Sequence, residues 1–425
     1  MQIIENQKAK EKLYVEKLEN GLTIMIIPKQ DTNKKYVIWG THYGSLDSKF
    51  VIPGQSEITE VPDGIAHFLE HKMFEQKDGT NSLDTLTALG VSANAYTTTD
   101  HTAYLFETVD HFYEALDELM DYVQNPYFTD ENVEKEKGII AQEIRMGDDQ
   151  PNLKVYMNAM QCMYEKNPIT IDIAGTVETI NQIDKDVLYQ CYNTFYHPSN
   201  MAMVVCGDFR PTEILEEIKK RLVPKTAQGE IKRIYPEEKI EINDARKEAI
   251  MEVNMPLFII GIKDKIISGK EEMIKRHIAI EILLNMLIGK SSELYKRLYE
   301  DSLLMSELEL EYEFHDTFAH VLIGGQSKDP DQLLKELKNE IEKKKEEGFA
   351  KEQFNRVKKM IYGSYIKEYN DVASVARMFL SDYFSGINSF DYLEEYNQVT
   401  MEYVEQILKE VFQEENMILS IVKGN

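Results

Sequence analysis

Ile180-Asn181-Gln182-Ile183 opens a helical stretch that ends before Asn200-Met201 and a strand-like run at 202–206, and 216 residues later Tyr396-Asn397-Gln398-Val399 opens a second helical stretch that ends before Asn416-Met417 and a run at 418–422. The two spacings agree residue for residue, and each copy closes one half of the chain. Solenoid repeats have periods of roughly 20 to 50 residues, so a period near half the length points to two duplicated domains. Between the halves, residues 224–238 are polar, carry Pro224, Gly229 and Pro236, and lack periodicity, which marks a linker. The expected organisation is therefore an N-terminal domain over 1–223, a linker over 224–238 and a homologous C-terminal domain over 239–425.

Working outward from the repeat, residues 22–27, after the turn pair Asn20-Gly21, and residues 36–43 are rich in β-branched and aromatic side chains and read as strands. Helical spacing follows at 64–75, where Ile65, Phe68, Leu69 and Met73 recur every three or four positions, and again at 81–89. Strands are expected at 93–97 and 102–107, then long amphipathic helices at 113–124 and 130–146. Paired strands with separate helix runs read as α+β, each domain an antiparallel-rich β-sheet packed with helices. The charged run 331–347 carries Leu333, Leu334, Leu337 and Ile341 as a narrow apolar stripe and reads as a solvated amphipathic helix.

Composition narrows the function classes. The 425 residues are 43% hydrophobic and 29% charged, ordinary for a folded globular chain. A net charge of −26 repels phosphate backbones and anionic lipid, so no nucleic acid and no membrane partner is expected. Cys162, Cys191 and Cys206 stand far apart, in no metal-binding or disulfide pattern, which fits a reducing, cytoplasmic setting. Residues 1–18 have no apolar core of a secretory signal, and the most apolar helical stretch, 277–288, is interrupted by Glu281 and Asn285.

Gly289-Lys290-Ser291 resembles the end of a phosphate loop, but Leu284 stands where the motif needs glycine, and no Gly-x-Ser-x-Gly elbow is present. One cluster remains, His67-Phe68-Leu69-Glu70-His71, within the 64–75 helix. Residues four apart share a helix face, so His67 and His71 can offer two imidazole nitrogens to one zinc ion. Glu70 lies beside them, placed to take a proton from water and pass it to a leaving amine, which is the chemistry of peptide-bond hydrolysis. A third ligand must come from elsewhere. Glu136 and Glu143, two turns apart on the 130–146 helix, share a face, but Glu131 and Glu134 are equally plausible by type, and spacing does not choose among them.

The order His-x-x-Glu-His, followed by a Glu-x6-Glu helix, resembles the inverzincin metallopeptidases of the pitrilysin and insulysin family. Asn94-Ala95-Tyr96-Thr97, the run from Glu134 to Glu143, and Tyr196-His197-Pro198-Ser199-Asn200-Met201 are similar to family segments in the family's order, and the length is closest to short-chain members similar to mitochondrial processing peptidase. The resemblance implies one zinc ion held by His67, His71 and Glu143, with Glu70 as general base and Glu136 orienting a ligand histidine. It implies further that Asn94, Ala95, Tyr96 and Thr97 form the edge strand onto which an extended peptide adds. Active members also carry an Arg and a Tyr in the second half; aligned on Ser292-Glu293-Leu294, these fall on Tyr299 and Ser306, with Arg297 and Tyr312 nearby but out of register. The second half is thus expected to be a degenerate substrate-binding domain. The resemblance then implies a zinc endopeptidase acting on extended, unfolded peptides in a chamber, the zinc subunit of a dimer whose homologous partner supplies the Arg and Tyr, or a homodimer. The alternative is a non-catalytic assembly or peptide-binding subunit with a structural zinc.

Overall fold

A computed structural model describes residues 1–424, which divide into two compact units. In the first, seven strands lie in the order Gln2–Asn6, Glu11–Lys17, Thr23–Pro28, Met201–Gly207, Lys35–Thr41, Thr102–Thr108, Ser92–Thr97. All neighbours are antiparallel except Thr23–Pro28 with Met201–Gly207. In the second, five strands lie in the order Arg246–Ile250, Met417–Lys423, Leu257–Lys263, Ala319–Gln326, Glu309–Phe314, again with a single parallel pair, the first. The second sheet repeats the last five strands of the first. The repeated sequence accounts for this: helix Lys185–Phe195 and strand Met201–Gly207 reappear, shifted by the same 216 residues, as helix Met401–Val411 and strand Met417–Lys423. Each closing strand sits inside its sheet, parallel to one neighbour and antiparallel to the other, which explains why Met201–Gly207 is apolar throughout and why Met417–Lys423 is apolar but for Ser420 and its terminal Lys423.

One break between the units, Tyr235 to Pro236, falls within the expected 224–238 segment, but each unit also takes in a stretch from the other half of the chain. The first comprises Met1–Ile144, Ile171–Tyr235 and Ile366–Ser389, and the second Arg145–Thr170, Pro236–Tyr365 and Phe390–Asn425. Each half of the chain therefore lends a helix to the other's sheet. Helix Val372–Phe384 packs on Met201–Gly207 and Lys35–Thr41, while helix Pro151–Met163 packs on Met417–Lys423 and Leu257–Lys263. Glycines make the close approach possible: a Cβ on Gly40 would lie 2.8 Å from Leu380 Cδ2, and one on Gly261 would lie 2.9 Å from Met163 Sδ. Nor is the expected linker free of structure. Lys232–Arg233 pairs with Lys49–Val51, and Tyr235 donates to Asp47 Oδ1 at 2.9 Å.

Residues 64–75 hold helix Ile65–Lys72, shorter at both ends than the apolar spacing predicts. It buries Ile65, Ala66, Phe68 and Leu69 against the first unit's core and packs on Ser92–Thr97 and Thr102–Thr108. Gly64 caps it with φ +90°, and a Cβ there would meet the Ala174 carbonyl oxygen at 2.4 Å. Because backbone, not a yielding side chain, fills that space, Gly64→Ala is expected to lower stability by about 2 kcal/mol or more, measured by denaturant unfolding. In the second unit the charged run forms helix Pro330–Glu347, with Leu333, Leu337 and Ile341 buried as the stripe requires. No helix among the described residues is long and apolar enough to cross a membrane.

Candidate active site

The apolar side of helix Ile65–Lys72 fixes its other side. With Phe68 and Leu69 turned into the core, His67 and His71 stand one turn apart on the outer face, ring centroids 4.5 Å apart. Helix Asp130–Asp148 brings up the carboxylate. Glu143 Oε1 lies 3.6 Å from His67 Nε2, and Glu143 Oε2 lies 3.5 Å from His71 Nε2. One ligand atom from each of the three residues lies within 4.8 Å of the others, so a single ion could be held between them.

The surroundings fit a metal. His71 Nδ1 contacts Glu136 Oε1 at 3.1 Å, which fixes the ring orientation and leaves the Nε2 lone pair facing Glu143. Burial, reinforced by His71, holds the His67 imidazolium down to about 3, so this ring is neutral and able to ligate at any ordinary pH. Burial also works against charge on His71, but the Glu136 bond and the Glu136, Glu143 and Glu70 carboxylates outweigh it and raise its affinity for a proton. Glu136 titrates below the usual carboxylate range: its burial is outweighed by His71 and by Lys72. Glu131 and Glu134, open choices from spacing alone, face solvent, and Glu134 pairs with Lys137.

Two contacts were not legible in the motif. Lys72 is fully buried, one of two charged residues, with Glu70, that this helix hides, contacting Glu75 and lying 3.6 Å from Glu136 Oε2. It neutralises the outer oxygen of Glu136 while the inner one meets His71. A lysine inside an apolar helical face was the available signal. Glu70, 8% exposed, receives a hydrogen bond from Thr97 Oγ1 at 2.6 Å. Burial raises its proton affinity, and the Thr97 bond opposes that rise.

The 92–97 segment lies at the sheet edge and, among the described residues, pairs only with Thr102–Thr108, and Asn94 there accepts from the Ala95 amide at 2.9 Å. The 196–201 segment has a supporting role. Tyr196 bonds Tyr104 through their hydroxyls at 2.8 Å, and the Asn200 amide donates to the carbonyls of His42 and Phe195. In the second unit Tyr299 is 67% exposed and Ser306 donates to the Glu307 carbonyl. Arg297 pairs with Glu340 at 3.0 Å, and Tyr312 is buried and donates to Asp264 at 2.9 Å.

Glu136→Gln keeps the shape of the side chain but weakens its hold on His71, and is expected to reduce zinc affinity about 10- to 100-fold, read by competition with a chelating dye.

Two domain descriptions match the chain: insulinase (peptidase family M16) over residues 55–177, which contain the whole donor set, and peptidase M16 inactive domain over residues 182–361. The chain is 39% identical over 411 residues to a Bacillus subtilis protein named uncharacterized zinc protease YmfH, covering 96% of this chain and 95% of that one. An M16-like peptidase from Alicyclobacillus acidocaldarius superimposes with a TM-score of 0.93 at 35% identity, over 99% of this chain and 100% of that one. A more distant match, 27% identical over 162 residues, or 37% of this chain and 30% of that one, is a mitochondrial-processing peptidase beta subunit of Arabidopsis thaliana. The chain belongs to the insulinase family of peptidases, family M16.

Proposed function

We propose that the chain is a zinc-dependent endopeptidase that hydrolyses extended, unfolded peptides. The observation that carries this reading is the convergence of His67 Nε2, His71 Nε2 and the Glu143 carboxylate, with Glu70 on the same helix. Relatives named zinc proteases support the choice of ion, and one ion suits three donors. A zinc ion held there supplies a Lewis acid that acidifies water and polarises a peptide carbonyl.

The remaining steps belong to the chain's own side chains. Glu70, its carboxylate steadied by the Thr97 bond to Oε2, takes the proton from water and returns it to the leaving amine. Glu136 keeps His71 in the tautomer that presents Nε2. The Ser92–Thr97 edge receives the substrate as an added strand, which selects extended chains because the recognition runs through main-chain hydrogen bonds.

Arg297 and Tyr312 are committed to Glu340 and Asp264, so neither is free to steady a developing oxyanion. This supports a dimer in which a homologous partner supplies those donors, this chain being the zinc subunit. It also keeps in view the second reading, an assembly subunit whose zinc is structural. Peptide cleavage by the zinc-loaded chain, alone and with a homologous partner, decides between them. Cleavage in either arm that Glu70→Gln abolishes supports the peptidase, and equal silence of both variants in both arms overturns it.

The charge of −26 should favour basic peptides. Lysine-rich substrates are expected to be cleaved faster than glutamate-rich counterparts at low salt, the gap closing as ionic strength rises. Equal rates at every salt concentration would dismiss this preference. Cys162, Cys191 and Cys206 are buried and unpaired, which supports a reducing, cytoplasmic setting, to be checked by cell fractionation.

A further inference from the structure

We infer that Thr97 is a positioning residue: its hydroxyl holds the Glu70 carboxylate in place and ties the proton acceptor to the sheet edge on which a peptide would lie. The inference rests on the peptidase reading and deepens it, giving Thr97 a role through its side chain in addition to any role of its main chain.

The direction of the bond follows from its neighbours. An ionised carboxylate can only accept, so at 2.6 Å Thr97 must be the donor to Glu70 Oε2. The one competing hydroxyl, Thr102 Oγ1, lies 3.3 Å from Thr97 Oγ1 and spends its own proton on the Tyr43 carbonyl at 2.9 Å. Thr102 is then no donor to Thr97 and only the more distant acceptor, and the Thr97 proton goes to Glu70 Oε2 at 2.6 Å.

The strand explains why this position serves. Side chains alternate along Ser92–Thr97, so Ala93, Ala95 and Thr97 share one face, and helix Ile65–Lys72 packs on this strand. The two alanines allow close approach and offer no polar group, which leaves Thr97 as that face's hydrogen-bonding side chain. A β-branched residue has few χ1 choices, so its hydroxyl is aimed by the backbone itself. Glutamate has three rotatable bonds, and Thr97 fixes the end of that lever. Substrate edge and proton acceptor thus belong to one rigid piece, and displacing a catalytic group by about 1 Å can cost about 100-fold in rate.

The test uses the full chain as wild type, Thr97→Val, Thr97→Ser and Glu70→Gln, each with its zinc content measured and assayed with and without a homologous partner. Valine keeps the shape and removes the donor; serine keeps the donor. Thr97→Val is expected to retain zinc and a KM within about threefold of wild type while kcat falls about 10- to 100-fold, and Thr97→Ser to recover most of the loss. Crystal structures of the same variants supply a readout independent of turnover: the Glu70 carboxylate should move or spread over several rotamers in Thr97→Val and return to its place in Thr97→Ser. An unmoved Glu70, an unchanged kcat, or a KM effect without a kcat effect would overturn the inference. If wild type and Glu70→Gln are equally inactive, the peptidase reading fails, and the crystallographic comparison still decides whether Thr97 positions Glu70.

Discussion

Glu70→Gln is expected to abolish peptide hydrolysis, by about 10³-fold or more, while zinc content and folding stay as in wild type. The amide matches the carboxylate in shape, and its carbonyl oxygen can accept the hydrogen bond that Thr97 gives Glu70 Oε2 at 2.6 Å. It cannot take a proton from water or deliver one to an amine, and general acid–base groups contribute about 10²- to 10⁴-fold. The proposed ligands and the proposed base are different residues, so the metal site has no reason to fail with the base. Parallel measurement of metal content and turnover is decisive. Zinc lost together with activity would mean that Glu70 supports the metal, and activity kept would remove it from the mechanism.

The second large effect concerns the metal. Glu143→Ala takes away the carboxylate that faces both imidazoles, at 3.6 Å from one and 3.5 Å from the other. Two histidines on one helix then remain, too few for a closed zinc site. The loss should exceed the roughly 10- to 100-fold that an outer partner such as Glu136 contributes, reaching about 10³-fold or more in affinity. Zinc at about 100 times its dissociation constant stabilises the wild type by about 2.7 kcal/mol, and the same concentration should leave Glu143→Ala nearly unmoved. Thermal unfolding with and without zinc shows the difference directly. An equal zinc-induced rise in both proteins would place the metal elsewhere.

Glu143 and Lys72 show where reading along the chain succeeds and where it stops. The two histidines and Glu70 lie within five consecutive residues, and helix geometry alone turns both histidines to one side. The third candidate ligand comes from another helix more than 70 residues on, and Glu131, Glu134, Glu136 and Glu143 are chemically alike; only the helix's rotation against its neighbours sends Glu134 to solvent and Glu143 to the histidines. Lys72 falls on the apolar face of its helix in the sequence, but its partners, Glu136 and Glu75, are chosen only when that helix is packed.

The repeat, the α+β composition and the His-x-x-Glu-His helix are local or periodic features, so they are present in the order of residues before any folding, and the resemblance to a peptidase family rests on them. Which sheet each helix covers is not local. An apolar stripe such as that of Val372–Phe384 specifies burial but not the surface that buries it, and here the stripe settles on the first unit's sheet, where Gly40 leaves room for Leu380. The division into units, the choice of Glu143 and the hold of Thr97 on Glu70 all depend in this way on contacts between segments distant in the chain. Their partners are selected by shape and by burial of the whole, which no short stretch of residues encodes.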